Sequence, residues 1–246
     1  MDYTQITDAQ HEEMLSIIGI DHVDRLFDVI PESIRCQEGL DLSPPQSELE
    51  LQRSLTEMAS HNVGAHNMVC FMGCGAYDHF YPALIDQLIS RGEFLTSYTP
   101  YQAEASQGTL QAFFEFQTQI ARVTGLEIAN SSLYDGATAV AEAAILAVNT
   151  TRRHTVLVAS TMHPEYLAVL RTCLADLHVN ITMLTATNGK VLPETVREEM
   201  SDDVAAVIVQ SPNIWGQIED WDGCFEVAHE DAKTLAVAVF NPIACG

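Results

Sequence analysis

The feature that most constrains the fold is an alternation of strand-like and helix-like segments that begins near residue 126. Short apolar runs rich in β-branched residues recur between helical runs: TVLVAS (155–160), NITMLTA (180–186), VAAVIVQ (204–210) and LAVAVF (235–240). GLEIAN (125–130) is a further candidate strand, ahead of the helical run at 137–149. Such alternation is typical of a doubly wound, mostly parallel sheet with both faces covered. It predicts a three-layer α/β/α domain over residues 126–246.

Two further regions precede this domain. Residues 1–60 are predicted to form a helical arm, since Thr7 with Gln10 and Ser47 with Glu50 are capping-box pairs. Residues 61–125 are predicted to connect arm to sheet through a glycine-rich stretch, a polar loop and a long helix. The core positions predicted for that helix are Leu110, Phe113, Phe114, Ile120 and Val123.

The end of the sequence is unusual for a sheet protein. Only six residues, NPIACG, follow the apolar run at 235–240. An apolar strand normally does not leave its edge uncovered. We therefore expect either a partner chain on that edge or, as the preferred interpretation, a sequence truncated at its C-terminus.

Charge and composition exclude several classes of function. The formal net charge is −23, and Lys190 and Lys233 are the only lysines. Nucleic acid and anionic lipid are therefore excluded as expected partners, because like charges repel. The acidity fits either a surface adapted to high salt or an ordinary acidic enzyme. The polar start MDYTQITDAQHEE and the short apolar runs predict a cytoplasmic protein without a targeting or membrane-spanning segment.

A glycine-rich stretch, FMGCGAYDHFYP (71–82), resembles a dinucleotide-binding fingerprint only in part. Gly73 and Gly75 fit the pattern, but Asp78 stands at the third glycine position. A glycine-rich turn that presents Tyr77, Asp78 and His79 is the preferred interpretation, and whether they face a ligand or the interior stays open. Nearby, His66, Cys70 and Cys74 lack an evident fourth ligand, so no metal site is predicted.

The stretch NSSLYDGATAVAEAA (130–144) leads from the candidate strand into a helix. Its small and polar residues at the helix start are Ser132, Tyr134, Asp135 and Gly136. A helix N-terminus offers unpaired N–H groups and a positive dipole end, which suit a phosphate. Equally, Asp135 or Ser132 could cap those N–H groups. QSPNIWGQIED (210–220) and His163 follow other strands, at the edge where open α/β sheets bind ligands.

Between the glycine-rich stretch and the long helix lies SYTPYQAEASQG (97–108), which crowds hydrogen-bonding side chains around one proline. This run, the SLYDGATA block, FMGCGAYDHFYP, QSPNIWGQIED and the N-terminal HEEMLSIIGIDHVDRLFDVIPESIR together resemble the P-protein of the glycine cleavage system. The resemblance runs from about residue 10 to the last residue, and it is to the N-terminal half, or to the first subunit of two-subunit forms.

The resemblance implies a fold-type-I pyridoxal-phosphate transferase architecture and a reaction that decarboxylates glycine and passes an aminomethyl group to the lipoylated H-protein. It also implies that the Schiff-base lysine and pyridoxal phosphate belong to a second P-protein subunit. Lys190, in a polar turn, and Lys233, at the end of an acidic helix, are both unsuited to that role. The family usually has an aspartate where Asn241 stands, and an amide cannot supply the charge that pairs with a pyridine nitrogen.

The resemblance further implies that the polar loop lends supporting residues to a site completed by the partner. These candidate site residues are Tyr98, Thr99, Tyr101, Gln102, Glu104, Ser106 and Gln107. Two alternatives stay open: a fragment of another fold-type-I pyridoxal-phosphate enzyme, and a non-catalytic scaffold that stabilises a catalytic partner. Loop residues that contact the active site would indicate an enzyme subunit, and loop residues that face solvent or only the subunit contact would indicate a scaffold.

Overall fold

A computed structural model describes residues 5–36, 39–64, 67–69, 74–75, 77 and 79–245. The chain divides into two compact units, Met1–Val63 and Gly64–Gly246. Each unit is considered by itself below. The boundaries that the sequence suggests at residues 60 and 125 stay predictions.

The first unit is helical, with α1 (Asp8–Ile18), α2 (Glu48–Ser60) and 3-10 turns at Val23–Phe27 and Glu32–Ile34. Both predicted capping boxes are confirmed, since each N-cap side chain accepts the N3 backbone N–H and each N3 side chain accepts the N-cap backbone N–H. HVDRLFDVIP (22–31), within the predicted helical arm, also has a helix-like sequence ended by Pro31, but its helical part is only a 3-10 turn, because the backbone bonds close at i→i+3, as in Asp28 N–H to Arg25 O.

The second unit carries a parallel sheet of β1 (Thr155–Ala159), β2 (Asn180–Leu184), β3 (Val204–Gln210) and β4 (Leu235–Val239). The strand order is β2-β1-β3-β4, and all three pairings are parallel. The helices of this unit are α3 (Leu84–Ile89), α4 (Gly92–Leu95), α5 (Ala103–Thr124), α6 (Gly136–Thr151), α7 (Pro164–Leu174), α8 (Pro193–Glu199) and α9 (Trp221–His229). A 3-10 turn at Pro242–Cys245 follows β4.

Both faces of the sheet are covered, which confirms the predicted α/β architecture. One core cluster joins α6 and α7 to side chains such as Val158 and Ile208, and the other joins α8 and α9 to side chains such as Leu157 and Val207. Successive strand residues point to opposite faces, so every residue of β3 is buried. This explains its uninterrupted apolar sequence.

Two local predictions are wrong. GLEIAN forms no strand, because none of the described residues pairs with it. In α5, Leu110, Phe113 and Ile120 are half-buried as expected, but Phe114 and Val123 are 70% and 52% exposed. After the kink, the half-buried residues of α5 are 109, 110, 113, 117, 120, 121 and 124. Since a helix turns about 100° per residue, positions 114 and 123 fall outside the stripe that these residues form.

Candidate functional site

Polar side chains gather where the parallel strands end. β1 leads into Thr161 and His163, β3 into Ser211 and Asn213, and β4 into Asn241. Because parallel strands present their carboxyl ends at one edge, this is the edge at which open α/β sheets place ligands. It is therefore where a candidate site is built.

A buried hydrogen-bond network centred on Glu219 fixes part of this edge. The carboxylate accepts the Thr161 hydroxyl at 2.6 Å, the Asn213 side-chain amide at 2.7 Å and the Val191 backbone N–H at 2.9 Å. Asn213 is fully buried and Glu219 is 3% exposed. The Glu219 N–H in turn donates to Ser211 Oγ at 3.1 Å. The network holds the 211–219 loop rigidly against the end of β1.

Sequence reasoning did not identify this network. Glu219 lies in the quoted QSPNIWGQIED stretch, but its partners are 58, 28 and 6 residues away along the chain. No spacing rule reveals such contacts. The available signal was a run of polar residues directly after a fully apolar strand, where ligands and buried networks both occur.

His163 and Tyr166 form a second feature of the edge. The His163 backbone N–H donates to Gln210 Oε1 at 2.8 Å, and its Nδ1 accepts the Glu165 N–H at 3.2 Å, which caps α7. The two rings lie 5.1 Å apart between centroids. Tyr166 packs so closely on Gly136 that a β-carbon there would lie 2.8 Å from the tyrosine Cζ. A side chain at 136 would therefore displace the end of the Tyr166 ring.

The start of α6 is capped by the chain itself. Asp135 Oδ1 accepts the Thr138 N–H at 2.9 Å, and Oδ2 accepts the Thr138 hydroxyl at 3.1 Å. These bonds, the backbone one foremost, hold the pKa of Asp135 below its usual value, so the cap is a carboxylate at neutral pH. Of the other predicted residues here, Ser132 and Tyr134 are exposed. Asp135 is thus the cap of α6, as the capping interpretation predicts, and the phosphate interpretation of these residues stays a prediction.

The described residues of the glycine-rich stretch contact the same edge. The Cys74 N–H donates to Ile214 O at 3.2 Å, and His79 Nε2 lies 2.8 Å from Asn241 Nδ2. The Tyr77 hydroxyl is buried and has no hydrogen-bond partner among the described residues. His66, Cys70, Gly73 and Asp78 lie outside the described residues, so the dinucleotide and metal interpretations of that stretch stay untested. Within the described ranges, no group of three or more His, Cys, Asp or Glu is arranged to hold a metal ion.

The seven candidate residues of the polar loop divide between two structures. Tyr98, Thr99, Tyr101 and Gln102 lie in irregular backbone before α5, with Gln102 as its N-cap. Glu104, Ser106 and Gln107 lie inside α5 rather than in a loop. Ser106 has non-helical φ/ψ of −145° and 43°, so the first turn is kinked away from the rest of the helix. The expectation of one continuous loop is therefore corrected.

This kink creates a groove of about 670 Å³. Its walls include Tyr98, Thr99, Ser106 and Gln107 from the candidate set, together with Phe94. Tyr98 is 93% exposed and Tyr101 is 72% exposed. The structure thus brings four of the seven candidates to one groove, and leaves the tyrosine rings available to another molecule.

Neither lysine shows the setting of a cofactor lysine. Lys190 lies in a turn closed by the Thr187–Lys190 bridge, and Lys233 is exposed just before β4, away from the carboxyl ends of the strands. An imine-forming lysine needs a desolvated pocket or a cationic neighbour to be reactive.

The described part of the chain also includes no helix that is long and apolar enough to cross a membrane.

The parallel sheet covered by crossover helices matches solved structures of the fold-type-I pyridoxal-phosphate class. A sphingosine-1-phosphate lyase from Burkholderia pseudomallei shares this fold, with a TM-score of 0.59 at 14% identity over 81% of this chain and 49% of its own. A crystal structure of glycine decarboxylase (P-protein) of the glycine cleavage system, in inhibitor-bound form, matches with a TM-score of 0.79 and 43% identity over 100% of this chain.

The sequence profile of the glycine cleavage system P-protein matches residues 1–246. Proteins named probable glycine dehydrogenase (decarboxylating) subunit 1 are 43% identical in Listeria innocua and 44% identical in Bacillus cereus, each over 99% of this chain. The chain therefore belongs to the P-protein family. It spans about half the length of these relatives, 54% in each case, and 54% of the glycine decarboxylase chain.

Proposed function

We propose that this chain acts as the first subunit of a cytoplasmic glycine decarboxylase of the glycine cleavage system. With a second subunit, it would decarboxylate glycine and transfer the aminomethyl group to lipoylated H-protein. The observation that carries the proposal is the 43–44% identity, over 99% of the chain, to proteins named subunit 1 of that enzyme.

The division of labour follows from which groups the chain offers. Pyridoxal phosphate, held by the partner through its lysine, would supply the electron sink for decarboxylation. The present chain would contribute one wall, formed by Tyr98 and Gln107 of the groove beside α5 and by Tyr101, which lies outside that groove. Support comes from the groove beside α5 and from the high exposure of both tyrosines. A polar segment on a rigid helix is a common way to build one side of a shared site.

A non-catalytic scaffold is the second candidate. It is favoured by the lack of any hydrogen bond to the Tyr98 or Tyr101 hydroxyl among the described residues, which leaves both groups without a fixed orientation. In that case the exposed rings would serve only the subunit contact. The two candidates predict different effects for removal of a single hydroxyl.

The test is glycine–bicarbonate exchange by the chain reconstituted with its lysine-bearing partner and lipoylated H-protein. Tyr101→Phe keeps the ring and nearly the whole volume, so assembly should survive. Loss of a hydrogen bond made only as the substrate reacts should lower exchange about tenfold to a thousandfold. Tyr98→Phe and Gln107→Ala test the other two positions of the wall.

Tyr81→Phe is the matched control, because Tyr81 is 62% exposed but belongs to none of the proposed site residues. It should exchange at the parental rate. The chain alone should show no exchange, and borohydride reduction with pyridoxal phosphate should give no adduct at Lys190 or Lys233 that supports turnover. Parental exchange in all three wall variants would leave this subunit as a scaffold.

A further inference from the structure

We propose that Asp135 and Tyr166 prevent the phosphate of a pyridine cofactor from binding at the carboxyl edge of this chain's own sheet. The inference deepens the proposed function and rests on it for the identity of the cofactor. A helix that starts at the carboxyl edge of a parallel sheet is an anion-binding position, because its first N–H groups and its dipole favour negative charge. In this chain that helix is α6, and its first turn is already occupied.

The first obstacle is electrostatic. The Thr138 N–H and hydroxyl, which are donors that an incoming phosphate would need, are both bound to the Asp135 carboxylate at 2.9 and 3.1 Å. A phosphate dianion at the same turn would lie beside that negative charge. Repulsion at such short range opposes binding more strongly than the helix dipole favours it.

The second obstacle is steric. The Tyr166 ring lies on Gly136, the first residue of α6, so closely that not even a methyl group fits between them. The ring also packs against His163 at a centroid distance of 5.1 Å, and this contact opposes its movement away from Gly136. His163 is itself held by its backbone bond to Gln210. Tyr166 therefore acts as a fixed cover over the helix start.

An independent observation at the end of β4 agrees. Asn241 follows β4 at the carboxyl edge, and its uncharged amide cannot supply the negative charge that pairs with a protonated pyridine nitrogen. Its Nδ2 lies 2.8 Å from His79 Nε2, and its Oδ1 accepts the Ile243 N–H at 3.1 Å. The amide is thus engaged on both sides within the chain. Among the described residues, the Thr138 donors at the phosphate end and the Asn241 amide at the ring end are thus already bonded within the chain.

The test measures binding of pyridoxamine 5′-phosphate to the 246-residue chain by calorimetry. This probe carries an amine instead of an aldehyde, so it cannot form an imine with Lys190 or Lys233. The parental chain should bind it no better than it binds pyridoxamine, which lacks the phosphate. In the double variant Asp135→Ser/Tyr166→Ala, we expect affinity for the phosphorylated probe to rise about tenfold or more, because the charge and the cover are both removed. Inorganic phosphate should compete.

Asp220→Ser is the matched control, since Asp220 caps α9 in the same way, through the Gly223 N–H at 3.2 Å. It should gain no binding. Asp135→Ser alone keeps a capping hydroxyl and should give a smaller gain in affinity for the phosphorylated probe. If the double variant does not show the native circular dichroism spectrum, this single variant provides the test. Three results would each overturn the proposal. They are an equal gain in affinity in Asp220→Ser, no gain in affinity in the Asp135 variants, and phosphate-dependent binding by the parental chain. The assay uses no partner, so its result is independent of exchange activity.

Discussion

Glu219 is a residue at which we expect a single substitution to destabilise the chain strongly. Glu219→Ala would leave the Thr161 hydroxyl, the Val191 N–H and one Asn213 N–H without their acceptor in a buried site. Each unsatisfied buried group costs about 1–3 kcal/mol, so a loss of about 3 kcal/mol or more in the free energy of unfolding is expected. Urea denaturation measures it.

Two further variants sharpen that measurement. Glu219→Gln keeps the shape but must point an NH₂ group at one of the present donors, so it should fall between the parent and Glu219→Ala. Glu226→Ala removes an exposed carboxylate from the following helix and should change stability by less than about 0.5 kcal/mol. If Glu219→Ala matched Glu226→Ala, the network would have no part in stability.

Cys224 offers a test of burial at a single atom. Burial, and then the negative charges of Asp220, Glu219 and Glu194, raise the pKa of its thiol from 9.0 to about 12. The folded thiol is therefore neutral at pH 8, and its contribution to stability is lost only as pH rises from about 9 towards about 12. Since the thiolate is the reactive form, iodoacetamide at pH 8 should label exposed Cys173 and spare Cys224. Peptide mass spectrometry measures the labelling of each cysteine. Equal labelling of Cys173 and Cys224 would contradict the burial of Cys224.

At the scale of elements, β3 is the strand on which both core layers depend. Ile208 is fully buried in the layer shared with α6 and α7. Ile208→Val should cost about 1 kcal/mol and Ile208→Ala about 2–5 kcal/mol, because the larger truncation leaves a cavity. Leu177→Ala, at a position 46% exposed, serves as the control and should cost less than about 1 kcal/mol. The quantity to compare is the free energy of unfolding; equal losses at the two sites would contradict a core role for β3.

The elements also show what the sequence could and could not predict. The apolar runs at β1 to β4 were identified because a strand buried on both faces has an unmistakable composition. GLEIAN has a similar composition but is irregular, since a strand exists only where another strand pairs with it, and pairing is not a property of the segment itself. In α5, the periodicity predicted the helix, but it could not choose between Phe113 and Phe114 as the inward residue.

The same limit applies to the candidate site. The N-terminus of α6 was predicted to bind a phosphate or to be capped by Asp135 or Ser132, and local sequence allows both. The position of Tyr166 over the start of α6 favours capping over phosphate binding. Tyr166 lies 30 residues further along the chain than Gly136, so the local sequence could not predict this contact. The resemblance to the P-protein family, in contrast, was visible in the sequence because it rests on long runs of identities rather than on spatial contacts.

For the whole molecule, the dominant physical quantity is the net charge of −23. Self-repulsion of that size destabilises a compact chain at low ionic strength, and salt relieves it by shortening the Debye length from about 10 Å at 0.1 M to about 3 Å at 1 M. We expect the melting temperature to rise with sodium chloride, and most steeply at the low concentrations where screening changes fastest. Screening predicts a steep early rise in melting temperature, whereas salting-out predicts a gradual one. The reason is that exclusion of cosolutes from the protein surface strengthens burial independently of charge.

Thermal melts from low to molar chloride, with sucrose at matched osmolality as the uncharged control, separate these effects. A steep early rise with chloride and a gradual one with sucrose would indicate that charge repulsion limits the stability of the chain, as expected for a surface adapted to high salt. A melting temperature that is flat or falls with chloride would leave only the ordinary acidic interpretation. The acidic side chains would then contribute solubility rather than adaptation to salt, because net charge keeps proteins apart whether or not it costs them stability.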